Sequence, residues 1–324
     1  MNKDLLERIS LINERINTLK YGAEPDELYE PIRYIMSLGG KRMRPLLVML
    51  AYELFKNDPD KVIDQAIAVE VFHNFTLMHD DIMDEAPLRR GKATVHEKWD
   101  ANTAILSGDV MLVQAYDLLM DAPGDLRAIL KDFNACAAGV CEGQQFDMNF
   151  ETLPTVAEET YINMIRLKTA VLLGFSLKLG AMLAGAKSEQ ADSLYEFGVS
   201  IGIGFQLKDD LLDVYADQAK FGKQVGGDII ANKKTFLLLK ALELANDDQK
   251  ARLDHWLAAT SFDKTEKVAA VTAIYDEIGI GELTREKINQ WFFKGFEALE
   301  KLETAPGRKD ALTDFTRYLI DREK

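Results

Sequence analysis

Two stretches of the chain crowd carboxylates together: Asp80, Asp81 and Asp84 in HDDIMDEAPLRRGK, and Asp209, Asp210 and Asp213 in FQLKDDLLDVYADQAKFGK. Each reads Asp-Asp-x-x-Asp, and in a helix the first and last carboxylates fall one turn apart on the same face. Like charges held this close raise one another's pKa and weaken the helix. A hard, oxygen-seeking cation such as Mg²⁺ relieves the repulsion, so both clusters are candidate metal sites. Both also follow apolar runs, Phe75-Thr76-Leu77-Met78 and Ile203-Gly204-Phe205, which are poor company for a merely solvated acidic face.

Three connections combine glycine with clustered cations. They are Gly39-Gly40-Lys41-Arg42-Met43-Arg44-Pro45, Leu88-Arg89-Arg90-Gly91-Lys92, and Phe221-Gly222-Lys223 through Lys233-Lys234. Backbone N–H groups at a helix start, glycines that permit close approach and arginine forks suit a phosphate or diphosphate. A His79-Asp80 pair also has the form of a metal-dependent phosphohydrolase dyad. With only four histidines in the chain, the supply of ligands for that chemistry is thin. His73 lies two helical turns before the first cluster, on roughly the same face.

These groups are positioned by helices. Apolar residues recur at spacings of three and four through Leu5–Leu19, Pro45–Phe55, Val62–Met78, Thr103–Met120, Leu126–Gln145, Thr155–Ala184, Ala191–Asp213 and Thr235–Leu244. Strand alternation is absent, and turn signals fall at Asn57–Asp60, Asp121–Gly124, Leu153-Pro154 and Ala305–Gly307. With 47% hydrophobic residues, 8 prolines and no long Pro/Gly/Ser-rich linker, the chain of 324 residues reads as one large all-α domain, 1–324.

A net charge of −14 argues against a nucleic-acid partner or a generic anionic membrane surface. Cys136 and Cys141 have neither disulfide nor metal-ligand spacing and read as small core fillers in a reducing cytosol. The amino-terminal MNKDLLERISLINERI is charged and helix-periodic, unlike a signal peptide. The longest apolar stretch, Thr169–Ala186, is interrupted by Lys178 and short for a bilayer span, so a buried helix is expected and no membrane insertion.

In order along the chain, GGKRMRP, HNFTLMHDDIMDEAPLRRGKATVH, GQQFD, LKTA, FQLKDDLLD and FGKQVGGDIIANKKT resemble the trans-isoprenyl diphosphate synthases. This polyprenyl synthetase family includes farnesyl and geranylgeranyl diphosphate synthases. The matched motifs run from about Gly39 to Lys234. Terpene cyclases share the first aspartate cluster and the helical fold, but usually carry an Asn/Ser/Glu-type second metal motif, which is missing here.

The resemblance implies a bundle of long helices around a deep central cavity and a cytoplasmic homodimer. It implies Mg²⁺-dependent 1′-4 condensation of an allylic diphosphate (dimethylallyl, geranyl or farnesyl) with isopentenyl diphosphate. Asp80, Asp84, Asp209 and Asp213 would hold Mg²⁺, three ions in all, with Asp81 and Asp210 behind them and Asp228 in support. Arg89, Lys168, Thr169, Gln206, Lys223 and Lys233 would meet the allylic diphosphate, with Gln144 and Asp147 at the pocket's border. Lys41, Arg44, His73 and Arg90 would form a separate, metal-free site for isopentenyl diphosphate. Phe75, five residues before Asp80, would be the floor that sets product length, with the small Thr76 beside it and Phe72 one turn deeper. The combination points to a twenty-carbon product ahead of a fifteen-carbon one. A noncatalytic partner subunit of the same fold and a terpene cyclase are the competing readings.

Overall fold

The computed structural model describes residues 3–216 and 226–321, and these are almost entirely helical, as the periodicity predicts. The first ten helices are α1 (Lys3–Thr18), α2 (Asp26–Ser37), α3 (Met43–Glu53), α4 (Ile63–Met83), α5 (Val95–Lys98), α6 (Ala101–Met120), α7 (Leu126–Thr152), α8 (Glu158–Ile165), α9 (Val171–Leu183) and α10 (Ser188–Tyr215). Further helices span Gly227–Ile230, Phe236–Leu244, Asp247–Ala258, Lys264–Ile278, Ile280–Glu300 and Asp310–Ile320.

The structure departs from the sequence reading in four places. Pro25 and Pro31 mask α2, which forms because Ile32, Ile35 and Met36 are buried. A short antiparallel hairpin pairs Leu88 with Ala93 and Arg89 with Lys92, turning through Arg90 and Gly91, both at positive φ. The stretch read as one helix from Thr155 to Ala184 is split by a π-helical turn, Arg166–Ala170. Cys141 is exposed and so fills no core, whereas Cys136 is buried as expected.

The residues group into two compact units. The first comprises Met1–Ala135, Leu172–Tyr195 and Leu302–Phe315; the second comprises Cys136–Val171, Glu196–Lys301 and Thr316–Lys324. In the first, α4 is the central element, with Ala66, Ile67, Ala68, Val69, Val71 and Phe72 fully inaccessible, and it packs against α3 and α6. Phe72 and Phe175 both meet Phe133 in the same core. The apolar residues of α9 are buried as expected, and Lys178 reaches Asp132 and Asp192 at 3.1 and 2.8 Å. In the second unit, residues 196–215 of α10 pack with Ile280–Glu300 through Phe197 and Phe296. One described helix, Ala101–Met120, is long and apolar enough by composition to cross a membrane, with a third of its length buried in the fold.

The glycine-rich loop before α3 is anchored by a buried ion pair. Arg42, 3% exposed and in the left-handed region (φ 49°), donates to Glu70 of α4 at 2.7 Å, to the Met36 carbonyl at 2.9 Å and to Asn13 at 3.0 Å. Removing one partner strands a buried charge, whereas replacing both by apolar groups does not. Glu70→Ala is therefore expected to cost ~3–5 kcal/mol in chemical denaturation, and Arg42→Met/Glu70→Met to recover most of it. Equal destabilisation by the single and double variants would show that the pair does not act as a unit.

Candidate active site

In the first unit the last turn of α4 presents Asp80 half-buried and Asp84 exposed, while Asp81, between them, is 2% exposed. The chain reverses directly after: the Asp84 N–H reaches the Asp80 carbonyl and the Ala86 N–H the Asp81 carbonyl, with Glu85 at positive φ. The hairpin then returns Arg89 to the cluster. Its Nε lies 2.8 Å from both Asp81 oxygens and its Nη2 2.7 Å from Oδ1, with Asp80 at 3.9 Å. Burial works to lower the Arg89 pKa, but the Asp81 hydrogen bond and the charges of Asp81, Asp80 and Asp84 outweigh it and raise the value. Arg89 is therefore a permanent cation beside the outer carboxylates.

Arg90, next along the turn, diverges to donate to the Gly39 carbonyl, and its guanidinium lies where a Cβ on Gly40 would come within 3.1 Å. Lys41 is exposed on the loop that Arg42 anchors, and Arg44 is half-buried in the first turn of α3. His73 completes this basic corner. Its pKa is held well below the ordinary value by burial and by the charges of Arg44, Arg90, Arg89 and Arg42, so the imidazole is neutral. Deeper along α4, Phe72 is fully buried; the Phe75 ring lies 5.6 Å from it and 4.8 Å from the His79 ring. Thr76 spends its hydroxyl on the His73 carbonyl at 2.8 Å.

The second unit repeats the pattern on α10. Asp209 is exposed and Asp213 half-buried, while Asp210, 5% exposed, turns inward. It accepts from the buried Tyr161 hydroxyl and from Gln206 Nε2 at 3.1 Å. Gln206 in turn accepts from the Thr169 hydroxyl at 3.2 Å, and Lys168 pairs with Asp147 at 2.6 Å. Burial pushes the Asp210 carboxyl up to about 6 against the Tyr161 bond, and raises the Tyr161 hydroxyl well above its ordinary value, so the tyrosine stays a donor. Gln144 has both amide atoms buried without a hydrogen-bond partner.

Asp213 is partly committed: Oδ2 accepts the Asp228 N–H at 2.8 Å and its backbone carbonyl the Gly226 N–H at 2.6 Å. That seats the short helix Gly227–Ile230, and the Lys233 N–H closes onto the Asp228 carbonyl at 2.9 Å. Beneath, the fully buried Lys267 holds Asn232 at 2.7 Å and stacks over Phe262. Lys223 lies outside the described residues. Tyr161, Lys267 and Arg42 are supports that no motif spacing pointed to; Arg42 alone had a signal, its place inside the first glycine-cation loop.

The outer groups of the two clusters are carboxylates, whose hard oxygens suit Mg²⁺. Among the described residues no group of three or more His, Cys, Asp or Glu side chains is gathered into a ready cage. Magnesium is commonly held by one or two carboxylates plus substrate phosphates, and Asp80, Asp84 and Asp209 fit that use. Asp228 carries a separate consequence. Burial lifts its carboxyl to about 7, opposed by Lys233 and reinforced by Asp210, Asp213 and Asp147. The folded state thus holds a proton that the unfolded chain loses near pH 4, and stability falls as pH rises from about 4 to 7. In metal-free protein, Asp228→Asn should raise the Tm by about 2–4 °C at pH 8 and much less at pH 4. Thermal unfolding in a chelator checks this, and equal shifts at both pH values would contradict it.

The polyprenyl synthetase family model matches residues 25–277. The chain is 37% identical to the geranylgeranyl pyrophosphate synthase of Geoglobus acetivorans over 98% of each chain, and 36% identical to the geranylgeranyl diphosphate synthase of Methanosarcina mazei over 99% of this chain and 97% of that one. A solved structure of a geranylgeranyl pyrophosphate synthase superposes with a TM-score of 0.92 at 43% identity, covering 100% of both chains. The motifs that resemble this family, the helical fold and the two aspartate-bearing helices agree with these likenesses, and the chain belongs to the polyprenyl synthetase family.

Proposed function

We propose that the chain is a short-chain trans-prenyltransferase that joins an allylic diphosphate to isopentenyl diphosphate and makes geranylgeranyl diphosphate. One observation carries this reading: the charges of Arg44, Arg90, Arg89 and Arg42 converge on a buried, neutral His73, and of these only Arg89 is seen bonded to the aspartate cluster, at Asp81. A nucleophile with its own diphosphate must bind firmly without being activated as a leaving group, which calls for cations and no metal. Lys41, on the exposed edge of the same loop, adds to that grip.

Asp80, Asp84 and Asp209 are the more outward carboxylates and would hold Mg²⁺, with Asp213 and Asp228 shaping the loop behind Asp209. Bound with the allylic diphosphate, Mg²⁺ supplies Lewis-acid neutralisation of the leaving group. Arg89 places a fixed charge by the first cluster. In the second unit, Lys168, Thr169 and Gln206 present a cation, a hydroxyl and an amide from one connected network, and Lys233 adds charge beside Asp228. The allylic carbon–oxygen bond breaks with its electron pair leaving on diphosphate. The isopentenyl double bond closes the new carbon–carbon bond, and a proton then passes to the released diphosphate. No protein nucleophile is needed, and the neutral His73 fits a binding role.

Phe75 lies about 7 Å along α4 from Asp80 and is braced between Phe72 and His79, so it is a rigid floor for the growing chain. Purified chain given Mg²⁺, dimethylallyl diphosphate and isopentenyl diphosphate should release diphosphate and accumulate a twenty-carbon product by mass spectrometry. Phe75→Ala should extend it by one or more five-carbon units. No turnover would favour a noncatalytic partner subunit, a hydrocarbon from a single substrate would favour a cyclase, and an unchanged product from Phe75→Ala would remove Phe75 as the floor.

The outer face of α6 leaves Ile105, Leu106, Val113 and Met120 43–58% exposed, an apolar stripe uncovered within the chain. A second copy of the chain covers it in a homodimer. Light scattering should give twice the 36.4 kDa chain mass, and Leu106→Glu/Val113→Glu should give the monomer; a wild-type monomer would remove the dimer.

A further inference from the structure

The π-helical turn Arg166–Ala170 carries Lys168 and Thr169 side by side, and two helices of the second unit hold it. On α7, Gly143 and Asp147 are one helical turn apart on one face. Asp147 takes the Lys168 ammonium at 2.6 Å, while a Cβ on Gly143 would lie 2.2 Å from the Lys168 backbone nitrogen and 2.6 Å from its Cα. On α10, Gly202 and Gln206 have the same spacing. Gln206 takes the Thr169 hydroxyl at 3.2 Å, while a Cβ on Gly202 would lie 2.7 Å from both Cα and Cβ of Ala170. Each helix thus admits the backbone of the turn with a glycine and catches its side chain four residues later.

We infer that Gly143 and Gly202 are positioning residues: by letting α7 and α10 close on the π-helical turn, they place Lys168 and Thr169 where a diphosphate is bound. This rests on the prenyltransferase reading. Glycine inside a helix costs stability relative to alanine, so two glycines facing one turn need a reason in packing. A π-turn is wider than the α-helix around it, and both helices must come closer than a methyl group permits to keep hold of its side chains. At both glycines the clash is with backbone or the Ala170 methyl, neither of which can swing aside. Gly139, one turn earlier on α7, is a natural control, because a Cβ there would meet only the Leu167 Cδ2 at 3.3 Å and Val171 Cγ2 at 3.7 Å, both ends of side chains.

Binding of inorganic pyrophosphate with Mg²⁺, measured by titration calorimetry, tests the inference without requiring turnover. The wild type and Gly139→Ala should bind equally. Gly143→Ala and Gly202→Ala should weaken binding at least ~10-fold and raise KM for the allylic substrate, while KM for isopentenyl diphosphate and the far-ultraviolet circular dichroism stay unchanged. Ala170→Gly in the Gly202→Ala background removes the opposing methyl and should restore part of the affinity, which keeps the test open if a single variant does not fold. Wild-type affinity and allylic KM in the folded glycine variants, or no recovery in the pair, would overturn the inference. Absence of pyrophosphate binding by the wild type would overturn the prenyltransferase reading and the inference with it.

Discussion

Three carboxylates on little more than one turn of helix repel one another, and the surrounding structure is organised to relieve that repulsion. Both clusters use the same solution. The middle aspartate turns inward and is neutralised by the protein, by Arg89 at Asp81 and by Tyr161 with Gln206 at Asp210. Of the outer members, Asp84 and Asp209 stay exposed and Asp80 half-buried. The two inward partners differ in kind. A guanidinium keeps Asp81 paired by charge, whereas a tyrosine hydroxyl and an amide leave Asp210 raised to about 6. Desolvation has this effect on a carboxylate, here against the opposing charge of Lys233.

That arrangement ties charge to loop geometry. Arg89 ends the first strand of the hairpin and Arg90 opens its turn at positive φ, so one faces the carboxylates and the other the glycine loop. The glycine loop is pinned from below by Arg42 and Glu70, buried together at 3% exposure each. A cation inside the fold therefore holds Lys41 and Arg44 at its surface. Lys267 does the same in the second unit, gripping Asn232 beneath the loop that bears Asp228 and Lys233. Although the chain is acidic overall, with a net charge of −14, the charges of Arg42, Arg44, Arg89 and Arg90 converge on His73.

Much of the fold was legible in the residues. Apolar spacing located α1, α3, α6 and α10 to within a few positions, because a buried stripe repeats with the helical period. Where it failed, a stronger local effect competed. Prolines hid α2, and two residues at positive φ built a hairpin too short to show alternation. The π-turn within Thr155–Ala184 left no mark because widening one turn changes no residue type. The exposed Cys141 shows that residue type alone does not decide burial.

By itself the sequence determined the chemistry on offer: paired Asp-Asp-x-x-Asp helices, oxygen donors for a hard cation and glycine-flanked cations for diphosphate. These depend on residue type and on spacing within one or two turns, which the backbone period preserves wherever the helix lies. The family resemblance had already put Asp81 and Asp210 behind the outer carboxylates, but only the tertiary structure decided which residues answer them. The answering groups lie far along the chain: Tyr161 is 49 residues from Asp210, Glu70 28 from Arg42 and Asp147 21 from Lys168. A buried polar or charged group must find a partner, and packing alone chooses which distant residue comes within reach.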